Sequence, residues 1–240
     1  MDFVKSDWDV RSIPTSDAKE WVLYKHYAHR LPCIVYAFGL YLIGGGQTSP
    51  LLSGVCAFGI PPSKDLILGS MGEAYKGNFL ELNRLVVNDG LPRNTLSFFV
   101  SQCLKMLPRP MVVVSYSDTS MGHHGYIYQA TNWIYTGLSD KRTDWVVEGL
   151  EGKHSRHLAD GTEKVGQGNS KKESLVEKYG DRVKLVERPR KHRYFQFLGD
   201  KRQVRQMLKD FNYPIVPEYP KGDNTRYDAS YKTSPNLMLF

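Results

Sequence analysis

The 240-residue sequence predicts an α/β (α+β) fold, a mixed sheet flanked by helices and followed by a basic C-terminal extension. Three observations carry that expectation. Stretches with the two-residue alternation of strands, at 36–43, 53–60 and 79–87, precede a stretch with helical spacing at 94–107. The run Met111-Val-Val-Val114 is apolar throughout, as a strand covered on both faces should be. Charge is unevenly placed: Lys153 to Lys209 holds sixteen Lys/Arg against seven Asp/Glu, a net of +9 in a chain whose total is +7.

In chain order, Asp9–Pro14 reads as a first strand. Thr15 or Ser16 caps a helix through Tyr27, with an apolar face at Ala18, Trp21 and Val22. Pro32 ends that segment. Strands Tyr36–Ile43 and Ser53–Ile60 are joined by the Gly44-Gly-Gly-Gln-Thr-Ser-Pro50 loop. Residues 61–77 read as a connector without an assigned form, leading into strand Phe79–Val87. Helix 94–107 presents Leu96, Phe99, Val100, Cys103, Leu104 and Leu107 on one face, and Pro108 and Pro110 stop it. A strand at 111–117, a short helix at Tyr126–Ala130 and a strand at Trp133–Leu138 complete the core. Beyond it, residues 149–172 read as a long loop, followed by helix 172–179 and strands Val183–Val186 and Tyr194–Leu198. Lys201–Phe211 reads as a basic amphipathic helix and Phe211–Pro220 as a proline-fixed strap. The expected division is 1–145 for the core, 146–220 for a basic extension that completes the fold, and 221–240 for a disordered tail.

Composition excludes some classes. No apolar run approaches the roughly 18 residues of a spanning helix, and the mean hydropathy is −0.43. Acids near Met1 stand where an export signal would carry a basic start, so a cytoplasmic protein is expected. Cys33, Cys56 and Cys103 lack metal-ligand spacing and read as ordinary buried thiols. Arg188, Arg190, Lys191 and Arg193 interleave with His192, Tyr194 and Phe195. Cations for phosphates beside rings for bases suit a nucleic-acid surface, continued by Lys201 and Arg202; a merely solvated face is the alternative.

Candidate chemistry gathers around residues 81–118. Strand, glycine-containing loop, helix, strand is an arrangement that holds a pyrophosphate on free N–H groups, with Gly90, Arg93, Asn94 and Thr95 at the loop and helix start. An ordinary crossover without ligand is the alternative. Arg84 interrupts an apolar strand end, where an unpaired guanidinium is costly to bury; it needs a carboxylate such as Glu81 or Asp118, a phosphate or a base. Asp118 closes its strand at the carboxyl edge of the sheet, fit for a general base, a metal ligand or a helix cap. His26 reads as a proton carrier, metal ligand or surface histidine, and Tyr27 as a ring for a base or a half-buried tyrosine. Ser97 and Ser115 are further candidates for cofactor or base contacts. His123 and His124 read as loop residues.

The element order resembles the Gcn5-related N-acetyltransferase fold, in which acyl-CoA lies against the end of the fourth strand, here Leu85, Val86 and Val87. The family's usual glycine loop is replaced by Gly90-Leu-Pro-Arg-Asn-Thr95. Tyr128 occupies the position of the tyrosine acid of such acyltransferases. The combination His26-Tyr-Ala-His29, Glu81-Leu-Asn-Arg84, Pro92-Arg-Asn-Thr95, Ser115-Tyr-Ser-Asp118 and Lys191-His-Arg-Tyr194 resembles the Mom family of Mu-like phages over about residues 9–220. The resemblance implies an enzyme that places an acetamido-type (carbamoylmethyl) group on the N6 amine of adenine, protecting phage DNA from host restriction. It further implies acetyl-CoA, a link to iron(II), double-stranded DNA as partner and the cytoplasm of the infected bacterium; a homodimer stays open, as do the metal ligands. Two other functions fit the residues: a conventional N-acetyltransferase on a small amine or protein, and a non-catalytic nucleic-acid-binding protein.

Overall fold

Strand β1 (Trp8–Ser12) leads into helix α1 (Thr15–Tyr24), then β2 (Tyr36–Leu42), β3 (Leu51–Gly59), α2 (Lys64–Met71), β4 (Phe79–Val87), α3 (Thr95–Met106) and β5 (Met111–Asp118). Helix α4 (Tyr126–Ala130) and strands β6 (Ile134–Leu138) and β7 (Arg142–Val147) follow, then α5 (Lys171–Tyr179), β8 (Val183–Arg188), β9 (Lys191–Leu198) and α6 (Lys201–Asp210). The structure, a computed structural model, describes residues 2–150, Leu158 and 171–223. The 149–172 loop and the tail beyond residue 223 lie largely outside the described residues.

Seven strands form one sheet in the order β1-β2-β3-β4-β5-β9-β6. The first four pair antiparallel, whereas β4 and β5 run parallel. The mixed α/β fold expected from the sequence is therefore present. Alternation along β5 explains how the sheet is covered. Val112 and Val114 pack with Leu66, Ile67 and Met71 of α2, Phe195 and Phe197 of β9 and Met207 of α6. Val113 joins Phe99, Val100, Cys103 and Leu104 of α3 on the other face. Helix α6 starts at a capping box, Asp200 accepting from Gln203 N while the Gln203 side chain accepts from Asp200 N.

Two compact units divide the chain, Met1–Gly137 with His192–Phe240, and Leu138–Lys191. These bounds differ from a 145/146 division, because β9 hydrogen-bonds between β5 and β6 and so belongs to the main sheet. The second unit is built on the β7–β8 antiparallel pair, with Val147, Leu158 and Leu175 as its core. Strand β7 was not expected: Arg142-Thr-Asp144 is polar and alternates weakly, so its pairing comes from β8. The connector at 61–77 contains α2, which Ser63 caps by accepting from Leu66 N. Helix α1 ends at Tyr24, three residues before Tyr27. Cys56 and Cys103 are buried as expected, but Cys33 is exposed, in the segment before β2 whose backbone lies against Gly59 and Asn83.

The C-terminal strap lies along the main unit. Val216 N donates to Tyr135 O, the Tyr219 hydroxyl donates to Trp133 O, and the Tyr126 hydroxyl donates to Gly222 O. These bonds tie the strap to β6 and α4.

Candidate active site

Strands β4 and β5 pair only from Phe79/Val112 to Glu81/Val114. Beyond Glu81 the ladder stops although both strands continue. A backbone that leaves its ladder must find other partners. Ser115, buried beside the opening, donates its hydroxyl to Leu82 O at 2.8 Å and so replaces a lost ladder bond. On β4's other side, the register with β3 shifts between Ala57 and Phe58, leaving Asn83 as the extra residue of a bulge. A bulge re-aims side chains, and here Asn83 and Arg84 both reach the segment before β2.

A cavity of about 480 Å³ occupies this region, within the size range of ligand sites. Its wall combines Leu82–Val87 of β4, Tyr116 and Ser117 of β5, Tyr126–Tyr128 of α4, Asn94 and Ser97 at the start of α3, and His26 and Tyr27 after α1. Among the residues singled out from the sequence, His26, Tyr27, Arg84, Leu85, Val86, Val87, Asn94, Ser97 and Tyr128 are thus brought together. Gly90, Arg93, Thr95, Ser115 and Asp118 are not in the wall. His123 is, its ring 5.8 Å edge-on from that of Tyr27. Two glycines around a His-His pair read as a turn, and nothing in the local sequence signals that the turn folds back over Tyr27.

Arg84 is held by carbonyls and not by a carboxylate. Its guanidinium donates to Arg30 O through Nη2 at 2.9 Å and Nε at 3.3 Å, and to Asn83 O through Nη1 at 2.5 Å. Burial lowers its pKa, the neighbouring Arg30 adds to that, and Tyr27 and Glu81 oppose it. Its hydrogen-bond partners are neutral carbonyls, and the fields of Tyr27 and Glu81 favour its charged form, which keeps a cation at the cavity for an anion or an electron-rich group. Tyr27 stacks on His26 at 4.3 Å between centroids, and the His26 Nδ1 accepts from Ala28 N. The Tyr27 pKa is raised, first by burial and then by the negative charge of Asp118, with Arg84 opposing. Arg84, Tyr27 and Asp118 are therefore electrostatic neighbours. Asp118 also caps the following turn, accepting from Ser120 N and from its hydroxyl.

Tyr128 is buried, and burial pushes its pKa well above the ordinary tyrosine value. Its hydroxyl is 2.7 Å from Ser115 Oγ. Since Leu82 O has no proton to offer, it takes the single serine proton, and Tyr128 completes the chain as donor to Ser115. The tyrosine keeps its proton at neutral pH, so its chemical capacity is that of an acid.

The loop before α3 contains two residues with positive φ, Gly90 and Asn94. Gly90 has φ +75°, and a Cβ there would meet nothing within 4 Å. Asn94 is the N-cap at φ +74°, but its side chain makes no capping bond. The first-turn N–H groups are thus without a side-chain cap, and the buried Thr95 Oγ1 has no hydrogen-bond partner.

The basic residues are more varied than their spacing suggests. Arg190 donates to Ser139 O and Leu138 O. Arg193 donates to Thr136 Oγ1 and lies 4.0 Å from the centroid of the Tyr213 ring. Both are partly spent on structure. Lys191 is half-buried, whereas Arg188 is exposed and borders a groove of about 720 Å³ in the second unit with Lys141 and Arg142. On α6, Lys201, Arg202, Arg205 and Lys209 are all exposed, with 201, 205 and 209 in one helical row.

The Mom protein family matches residues 7–221 of this chain. Methylcarbamoylase Mom of Escherichia phage Mu is 27% identical over 210 residues, covering 85% of this chain and 80% of that protein. YncA, a putative acetyltransferase from Salmonella typhimurium determined with its cofactor acetyl-CoA, superposes with a TM-score of 0.41 at 9% identity, covering 81% of this chain and 95% of that one.

Proposed function

This chain belongs to the Mom protein family, and we propose that it is a phage DNA-modifying enzyme that adds a carbamoylmethyl group to the N6 amine of adenine, so protecting phage DNA from host restriction. It is an enzyme of the transferase type. The observation that carries the proposal is the convergence of Arg84, Tyr27 and His26 with the buried Tyr128 in one cavity where β4 and β5 part. The relative's name, methylcarbamoylase, supports the group transferred.

The target amine is stacked in the duplex, and a cavity walled by β4, β5 and α4 admits only an extruded base. Tyr27 and His123 offer ring surfaces for it. Arg84 orients the base or the group donor through its positive charge. Asp118, beside Tyr27, takes the proton that the amine must lose, and Tyr128, kept protonated by burial, returns one. Exposed cations, Arg188 on the second unit and Lys201, Arg202 and Arg205 on α6, hold phosphates.

Acetyl-CoA suits the residues present. The first turn of α3, uncapped by Asn94, and the unpartnered Thr95 hydroxyl suit a pyrophosphate, and Leu85–Val87 lie along the part of β4 that β5 does not pair. Bound there, it would supply a two-carbon acetyl group activated as a thioester, with the CoA thiol as leaving group. Acyl transfer alone gives an N-acetyl amine, so the amide nitrogen of a carbamoylmethyl product and the bond from its methylene carbon to N6 require a further co-reactant. Among the described residues no group of three or more His, Cys, Asp or Glu side chains is placed to hold a metal, so iron is assigned no step. The proposal extends to double-stranded DNA as partner and the cytoplasm of the infected bacterium as the place of action.

The test is nucleoside mass spectrometry on DNA from cells expressing the protein. Wild type should yield modified adenine; Arg84→Ala and Asp118→Ala, checked for fold by circular dichroism, should yield none while still binding DNA. Unmodified adenine with the wild-type protein would refute the proposal.

A further inference from the structure

The ribbon of β7 and β8 sets two guanidinium groups against each other. In its register Arg142 lies directly opposite Arg188, and such partners in an antiparallel pair project from the same face. Like charges so placed destabilise a ribbon unless an anion comes between them. No carboxylate does so here: among the described residues neither guanidinium has a hydrogen bond or an ion pair. Glu187 borders the same groove, yet strand alternation turns its side chain to the opposite face, with that of its partner Thr143. Elsewhere on the ribbon a cation is matched, Lys184 Nζ lying 2.8 Å from the Glu148 carboxylate. Both arginines are exposed, and with Lys141 and Arg190 they line the groove of about 720 Å³. Arg190 is fixed there by neutral acceptors, Ser139 O and Leu138 O.

We infer that Arg142 and Arg188 form a clamp that closes on a single phosphate of the DNA backbone. Each planar fork presents paired N–H donors that match phosphate oxygens, and two forks from opposite strands reach different oxygens of one group. The backbone phosphate carries the negative charge that the pair lacks, whereas the bases are neutral. The groove holds four cationic side chains against one carboxylate, so Lys141 and Arg190 remain for the neighbouring phosphates. A contact of this kind positions the duplex without reading its sequence. It also removes the repulsion within the ribbon, so binding DNA firms the strand pair that does the binding.

This inference rests on DNA being the partner in the functional reading above. Its test measures binding of the full chain to a duplex of arbitrary sequence over a range of salt concentrations. A phosphate shared by two arginines stays neutralised when one is removed. Arg142→Ala and Arg188→Ala should therefore each leave the log–log salt slope nearly unchanged, and the double variant should be shallower by about 0.9. A loss of about 0.9 in each single variant and about 1.8 in the double would give each arginine its own phosphate and overturn the clamp. An unchanged slope in the double variant would take the ribbon off the DNA. Arg142→Glu keeps the test open should loss of an arginine unfold the ribbon. It sets opposite charges across the pair, so its thermal midpoint by circular dichroism should rise while its affinity for the duplex falls at least tenfold. Wild-type affinity in that variant overturns the inference. Where any of these failures accompanies modified adenine in DNA from cells expressing the wild type, this inference alone is lost. Wild-type protein that binds no duplex overturns the functional reading as well.

Discussion

Removing the Ser115 hydroxyl should damage two partners at once, and the structure sets how much. Ser115 is 1% exposed; it donates to Leu82 O and accepts from Tyr128, both inside the core where β4 leaves β5. Ser115→Ala leaves a carbonyl and a phenol unsatisfied. At about 2 kcal/mol for each buried orphan, the loss is about 4 kcal/mol. Tyr128→Phe removes one net hydrogen bond and leaves Ser115 bonded to Leu82, a loss of about 1 kcal/mol. In the double variant only the Leu82 carbonyl is orphaned, a loss of about 2 kcal/mol, which lies about 3 kcal/mol below the sum of the single losses. Urea unfolding followed by near-ultraviolet circular dichroism measures all four proteins, with the slope compared to show that the unfolded state is unchanged. Additive losses would refute the hydrogen-bond chain. A Ser115→Ala variant as stable as wild type would show that Leu82 O and Tyr128 find other partners.

Two further outcomes concern the ligand surfaces. Gly90→Asp should weaken CoA binding at least tenfold by calorimetry, because it sets a carboxylate beside the phosphates at a φ that aspartate tolerates better than most residues and in space with no neighbour; unchanged binding would move the pyrophosphate elsewhere. Replacing Lys201, Arg202, Arg205 and Lys209 by Ala should weaken binding to DNA of any sequence and make the log–log salt slope shallower by up to about 3.6, at about 0.9 per phosphate lost. An unaltered slope would take α6 out of the DNA surface.

Much of the scaffold was legible because local pattern and burial agree. The apolar face of α3, the two-sided apolar strand at 111–114 and the helix beginning at Lys201 each follow from rules that act over a few residues. The family was legible from five short motifs in order. The convergence of His26, Tyr27, Arg84 and Tyr128 was foreshadowed by type, since a guanidinium on an apolar strand or a tyrosine behind a strand-end aspartate must find a partner. Which partner was not legible. Arg84 was expected to meet a carboxylate, a phosphate or a base; among protein groups its guanidinium meets Arg30 O, 54 residues away in sequence. The basic run 188–193 looked uniform, yet Arg190 and Arg193 turn back to bond their own unit.

By itself the sequence determined most of the element order (α2 and β7 excepted), the core faces, the family and the shortlist of reactive groups, all consequences of period, charge and residue type. Only the tertiary structure decided that β4 and β5 part after Glu81, that Asn83 bulges and that His123 folds over Tyr27. Those three features arise where ladder pairing stops and backbone groups must be satisfied by segments distant in the chain, and no local pattern encodes which distant segment will arrive.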